Sequence, residues 1–255
     1  QTYGDLDLTE TFRSYLYAFT QQTMGCWNTT NYGGRHMLSD ADMGKVWTRL
    51  YPIAVKNIVD AEYRSAGDPE KTNIHAAVSI YKVYLLSLLT DIYGDIPYSE
   101  AGRGFIDGNP MPRYDTQQEI YEDFFLTLAE AASEIGTGSD RITGDLIYGG
   151  DCAKWKKLAN SLRLRFAMRI SKVDPEKARA EFEAALLDAG GILESSDDDA
   201  LVKHMEVAFS FGSEAYTDYR GNALSQRFFG NDPVNNPTYI CSTLFNRLYD
   251  TNDPR

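Results

Sequence analysis

Apolar residues recur at spacings of three and four along most of the chain as far as Gly191, the period of helices with one buried face. Phe12, Leu16 and Phe19 place a first helix over about residues 9–24. Ser39, with Asp42 three residues on, is a capping-box variant opening a second helix. That helix carries Val46, Trp47, Leu50, Ile53, Ala54, Ile58 and Ala61 on its stripe and ends near Gly67. Asp68-Pro69 opens the next, because Asp accepts orphan N–H bonds and Pro needs no donor at the first position. Its stripe is Ile74, Ala77, Tyr81, Leu85 and Leu88, and Gly94 and Pro97 stop it. Thr116 and Glu119 form another capping box for a helix reaching about Ile135. Further helices cover about residues 151–171 and from Asp174-Pro175 to Gly190-Gly191.

The intervals between helices are loops. Residues 25–35 are rich in Gly, Asn and Thr, residues 94–114 hold seven Gly or Pro, and residues 136–150 form a loop or a small hairpin. Beyond Leu193 the helical period fades. Asp197-Asp198-Asp199 makes an acidic turn, residues 200–211 read weakly as strand, and Thr243 to Tyr249 begins one more helix. Small residues such as Ala54, Ala61, Ala77, Ala129 and Ala159 suit close-packed antiparallel helix pairs, so the expected fold is mainly α. No clean repeat of about 34 residues is visible, and periodicity alone does not name the repeat type.

Composition narrows the function by exclusion. The 255 residues can bury a sizeable core, and 43% hydrophobic with 24% charged residues is ordinary for a globular chain. A net charge of −12 without a basic tract argues against nucleic acid or anionic lipid as partner. Arg163, Arg165 and Arg169 share a helix with Trp155, Leu158, Leu162 and Phe166, and read as a solvated or ion-paired face. Cys26, Cys152 and Cys241 follow no metal or redox spacing. The most apolar stretch, residues 76–92, carries Lys82 and Asp91 and reads as a core helix. His36, His75 and His204 stand singly, and no fingerprint of nucleophilic, zinc-dependent or phosphate-binding chemistry occurs. Asp91 and Asp95 are the nearest candidates for an acid/base pair, but a carboxylate in a tight turn ordinarily serves backbone N–H groups. Asp197-Asp198-Asp199 reads as a solvated turn, since calcium loops alternate their oxygen ligands.

Two segments carry more specific information. Leu89-Thr90-Asp91-Ile92-Tyr93-Gly94-Asp95-Ile96-Pro97-Tyr98-Ser99-Glu100-Ala101 resembles the LTDxYGDIPYSEA segment of the SusD-like (SusD/RagB) outer-membrane lipoproteins. Trp155 to Ile170 resembles the WKKLANSLRLRLAMRIS helix of the same family. The resemblance is closest over about residues 40–200. It implies a mainly α fold of tetratricopeptide-like stacked helical hairpins with long irregular loops. On that reading the chain is the N-terminal part of one SusD-like domain. The helical scaffold spans about residues 5–192, and a loop-rich region spans about residues 193–242. It further implies a cell-surface glycan-binding protein on the outward face of the outer membrane. The implied partners are an oligosaccharide, a SusC-like TonB-dependent transporter, and the membrane itself through an N-terminal lipid anchor removed upstream. No catalysis, cofactor or metal is implied, and both motifs serve as scaffold. Family members are expected to be about twice this length, and Asp253-Pro254-Arg255 resembles one of their mid-chain segments. Capture of peptides by the same scaffold is an alternative, as is a helical adaptor that docks proteins without a small-ligand site.

A sugar site needs exposed aromatic planes flanked by hydrogen-bonding side chains. Trp27, Asn28, Asn31, Tyr32 and Arg35 supply that composition between the first two helices. In the family this loop region often contributes to the ligand surface, without residue-by-residue correspondence. Trp27 either stands in such a platform or plugs the core beneath the loop. It lacks the apolar periodicity around Trp47 and Trp155, which read as core, and this favours exposure. A second set, Tyr216, Tyr219 and Arg220 with Phe211 and Asn222, lies after the scaffold.

Overall fold

A computed structural model describes residues 15–25, 32–37, 39–205, 221–222 and 238–254. The chain divides into two units, Tyr51–Lys203 and the paired segments Gln1–Leu50 and His204–Arg255.

The central unit contains five helices, α1 (Lys56–Ser65), α2 (Thr72–Tyr93), α3 (Gln117–Glu134), α4 (Cys152–Ile170) and α5 (Pro175–Leu186). Their starts lie where side chains satisfy orphan N–H groups. Thr116 and Glu119 close the reciprocal capping box of α3. Asp151 accepts from Ala153 and Lys154 at the start of α4, and Asp174 from Lys177 at α5, with Pro175 at the first position. Asp68 caps a single 3-10 turn, Pro69–Lys71, that leads into α2. Each such cap is worth about 1 kcal/mol.

Each helix packs on the next in the chain. Their contacts show that neighbours run antiparallel. The end of α1 meets the start of α2 through Ser65 and His75 (3.1 Å), while Lys82 Nζ pairs with Glu62 at 2.5 Å. Asn73, at the start of α2, accepts from Gly136 N beyond the end of α3 and donates to Gly138 and Asp140 carbonyls. The α3–α4 seam is aromatic: Phe124 lies 5.3 Å from Phe166 between ring centroids, and Tyr121 lies 5.6 Å from Phe166, edge-on. Phe124 and Phe166 are fully buried, and each contributes about 1.5–3 kcal/mol. Between α4 and α5, Arg163 pairs with Glu181 at 2.8 Å. Asn160 bonds Asp188 and the Gly191 carbonyl. The central unit therefore forms the stacked helical hairpins that the resemblance implies.

The structure departs from the sequence expectation at several points. The helix expected from Ser39 to Gly67 is broken into Asp40–Met43, Lys45–Arg49, a π-helical turn over Leu50–Val55, and α1. Pro52 lies in that wide turn; it lacks a donor and its ring crowds the carbonyl one turn back, which a normal α-turn cannot accommodate. Within the described part of the first expected helix only Tyr17–Phe19 is α-helical. Thr23–Gly25 is instead a strand, β1, paired antiparallel with β2 (Thr238–Ile240). The helix expected from Asp174-Pro175 to Gly190-Gly191 stops at Leu186, and Asp188 then turns its carboxylate onto Gly190 N at 2.7 Å. Residues 136–150 form turns without a hairpin, and residues 200–205 are not strand. The rest of the weak strand lies outside the described residues.

The other unit holds the β1–β2 ladder and a helix, α6 (Ser242–Asp250), extended by Cys241 N donating to Gln22 O at 2.9 Å. Trp47, expected as core, is half-buried there, whereas Trp155 of the central unit is buried at 3% exposure. Cys152 and Cys241 are free thiols. Cys26 lies outside the described residues.

The loop before α4 is organised by one carboxylate. Asp145 accepts from Trp155 Nε1 at 2.8 Å and from the backbone of Ile147, Tyr148 and Gly150. Burial alone would raise its pKa, but these four donors outweigh burial and hold it below the ordinary 3.8. A folded-state pKa below the unfolded one stabilises the fold above the ordinary carboxylate range, and this is lost as pH falls through the depressed value. Asp145→Asn should therefore lower stability at about pH 7, and the gap to wild type should close below about pH 4. Urea unfolding at both pH values measures this, and a gap independent of pH would refute it.

Candidate functional site

Of the sequence-predicted binding loop, the structure describes Tyr32 and Arg35. Tyr32 is half-buried and stacks on Tyr15, with ring centroids 5.2 Å apart and planes 26° from parallel. That contact occupies one face of its ring. Arg35 is exposed at the end of a single 3-10 turn, Gly33–Arg35. Met37 N closes the turn onto Tyr32 O at 3.0 Å, and His36 meets Phe19 edge-on at 5.0 Å. Trp27, Asn28 and Asn31 lie outside the described residues, as do Tyr216, Tyr219 and Arg220 of the second set.

The central unit contains a groove of about 520 Å³ that sequence reasoning did not anticipate. It forms where the end of α2, the starts of α3 and α5, and the end of α4 converge. Tyr121, Phe125, Ile170 and Val173 supply its apolar surface; Asp91, Gln117, Glu122, Arg169 and Lys177 supply polar groups. Asp91 accepts from Tyr121 OH at 2.6 Å and pairs with Arg169 at 2.5 Å. Burial, and then the hydrogen bond to Asp91, push the Tyr121 phenol well above its usual range, so it is a permanent donor. Lys177 Nζ lies 5.7 Å from the Phe125 ring centroid. Gln118 donates to Glu122 at 3.0 Å.

The two carboxylates closest to an acid/base pair in sequence are both occupied: Asp91 as above, and Asp95 by Gln117 N at 2.9 Å. Among the described residues no group of three or more His, Cys, Asp or Glu is placed to hold a metal ion. The acidic turn is structural, with Asp198 pairing with Lys157 at 3.1 Å and accepting from Glu194 N. The arginine-rich helix face is ion-paired at Arg163 and Arg169, and Arg165 is exposed. A signal for the groove did exist in the sequence: Asp91 and Arg169 each interrupt the apolar end of a long helix. Nothing in linear spacing says that the two ends meet.

Comparison with known proteins gives a consistent result. Residues 5–255 match the SusD-like family described as "Starch-binding associating with outer membrane". A solved Bacteroidetes AC2a SusD-like structure is 49% identical, with a TM-score of 0.88, over 99% of this chain and 47% of that one. A solved chitin-binding protein is 37% identical, with a TM-score of 0.84, over 99% of this chain and 51% of the other. A chitin-binding SusD homolog from Flavobacterium johnsoniae is 28% identical, with a TM-score of 0.64, over 75% of this chain and 41% of that one. The chain thus spans about half the length of these solved structures. Comparison with curated proteins gives no match.

The Asp91 triad makes a measurable claim about the groove. Tyr121→Phe keeps the ring against Phe166 and removes only the donor to Asp91. It should cost about 1.5–3 kcal/mol, because a hydrogen bond to a charged group is lost while Arg169 remains. Chemical denaturation would measure it, and a loss of more than about 4 kcal/mol would show that the ring itself had moved.

Proposed function

Because the chain belongs to the SusD-like family, we propose that it is part of a cell-surface protein that captures oligosaccharides at the outer membrane. It hands them to a SusC-like TonB-dependent transporter, and the ligand-binding face looks outward. The ligand class is a neutral oligosaccharide, with β-linked N-acetylglucosamine oligomers the first choice. The observation that carries this choice is the chitin-binding protein that is 37% identical over 99% of this chain. A second chitin-binding relative points the same way. The net charge of −12 adds a physical reason, since it disfavours anionic glycans at low ionic strength. Binding rather than catalysis is the reading that fits the family and the occupied state of Asp91 and Asp95.

Trp27, Asn28, Asn31, Tyr32 and Arg35 remain the proposed ligand loop, and Tyr216, Tyr219 and Arg220 the second set. A saccharide ring would lie on Trp27, with Asn28 and Arg35 reaching its hydroxyls. Tyr32, stacked on Tyr15, offers at most its other face.

Calorimetric titration of the full-length protein tests the reading. N-acetylglucosamine oligomers should bind saturably and better than maltooligosaccharides. Trp27→Ala should weaken that binding by about 1–3 kcal/mol, as expected when an aromatic anchor is truncated, with little change in melting. Heat from peptides and none from either glycan would replace this proposal with peptide capture. An unfolded Trp27→Ala protein would make Trp27 a core residue.

A further inference from the structure

The segment between α2 and α3 is long for a connection without secondary structure, and such loops are usually functional. It is also closed. Ile96 and Asp115 bridge at its mouth, with N–H···O distances of 3.2 and 2.9 Å. Inside that closure it is braced at several points. The Glu100 carboxylate accepts from Asn109 Nδ2 at 2.9 Å and Arg113 N at 3.0 Å. Asn109 Oδ1 accepts from Met111 N at 3.0 Å, and Arg103 is paired with Asp107. Gly102 sits directly on α1: a Cβ there would lie 3.2 Å from Lys56 Cα and 3.3 Å from Val59 Cβ.

At the tip of this braced excursion Phe105 is 92% exposed. Leaving a phenylalanine in water forgoes the gain of burying it, and here the ring stands on a backbone braced by internal bonds. Lys56 Nζ stands 5.9 Å from the ring centroid. Two turns along the same face of α1, Tyr63 is 57% exposed. Arg103, Asp107 and Asp60 lie on the same loop and helix.

We infer that Phe105 is a further saccharide contact, in addition to the proposed Trp27 loop. A pyranose has an apolar C–H face that lies on an aromatic ring and a rim of hydroxyls that seeks charged or amide groups. The Phe105 ring offers the first, and the Lys56 ammonium beside it the second. A protein partner fits less well. A stable interface removes about 800 Å² from each side, and its centre is depleted of charge. Here the exposed ring stands beside the Lys56 ammonium.

This inference rests on the oligosaccharide reading above, and one experiment separates the two. Full-length wild type, Phe105→Ala and Phe105→Trp are titrated with N-acetylglucosamine oligomers, and each is melted without ligand. Phe105→Ala should bind about tenfold more weakly with an unchanged melting temperature, and Phe105→Trp should bind at least as well as wild type. Equal affinity of Phe105→Ala and wild type would overturn the contact and leave the glycan reading intact. A melting temperature lowered by several degrees in Phe105→Ala would also overturn it, because the ring would then be covered by the rest of the full-length protein. Absence of binding by wild type would defeat the glycan reading and this contact with it.

Discussion

Asp115 holds the connection between α2 and α3 in place. It is 3% exposed, and an unpaired carboxylate at that depth would cost several kcal/mol. Its two oxygens are supplied by Tyr98 N at 3.1 Å, Ser99 N at 2.8 Å, Ser99 Oγ at 2.9 Å and Arg113 at 2.8 Å. Its backbone meanwhile bridges Ile96 in both directions. One residue thus gathers the end of the motif after α2 and the approach to α3, and the intervening segment has to bulge outward.

The same stretch fixes the antiparallel turn between the helices. Thr90 Oγ1 donates to Gly94 O and Gly94 N to Thr90 O, which ends α2 in a closed turn. Gly94 has a φ of 77°, a conformation that L side chains rarely adopt. Gln117 then clamps the start of α3, its side chain on Thr90 O and its N–H on Asp95. Tyr51 OH reaches Pro97 O at 2.7 Å, and Tyr98 OH reaches Asp123. The motif Leu89 to Ala101 is therefore a joint. Its polar side chains are used up inside the protein, and the groove at Asp91 is a by-product of helix ends meeting there.

Helix starts were the most legible part of the chain, because Asp68, Thr116, Asp151 and Asp174 act on their nearest backbone neighbours. Breaks were harder to read. Pro52 sits within a perfect apolar stripe, and whether a proline kinks, widens or ends a helix depends on packing that a linear pattern does not contain. The strand at Thr23–Gly25 is set by a partner more than two hundred residues away, and local periodicity could not place it. The site was less legible still. Asp91, Tyr121 and Arg169 come from three helices, and their meeting is a property of the stack. Phe105 was hidden for a different reason: one aromatic in a Gly-rich loop carries no pattern, and only its exposure makes it unusual.

Resemblance and site information therefore lie in different parts of the sequence. The two segments that identify the family are those whose side chains are consumed internally: Trp155 on Asp145, Lys157 on Asp198, Asn160 on Asp188, Arg163 on Glu181. Such residues are constrained by partners within the scaffold, so their spacing is readable. A ligand surface is constrained by a molecule outside the chain, and its aromatics need only rigid backing and access to solvent. The braced loop bearing Phe105 has both, built on the interior bonds of Glu100, Asn109 and Asp115. A strong match in the scaffold thus fixes the architecture, and ligand specificity must be sought in the connections that the scaffold holds apart.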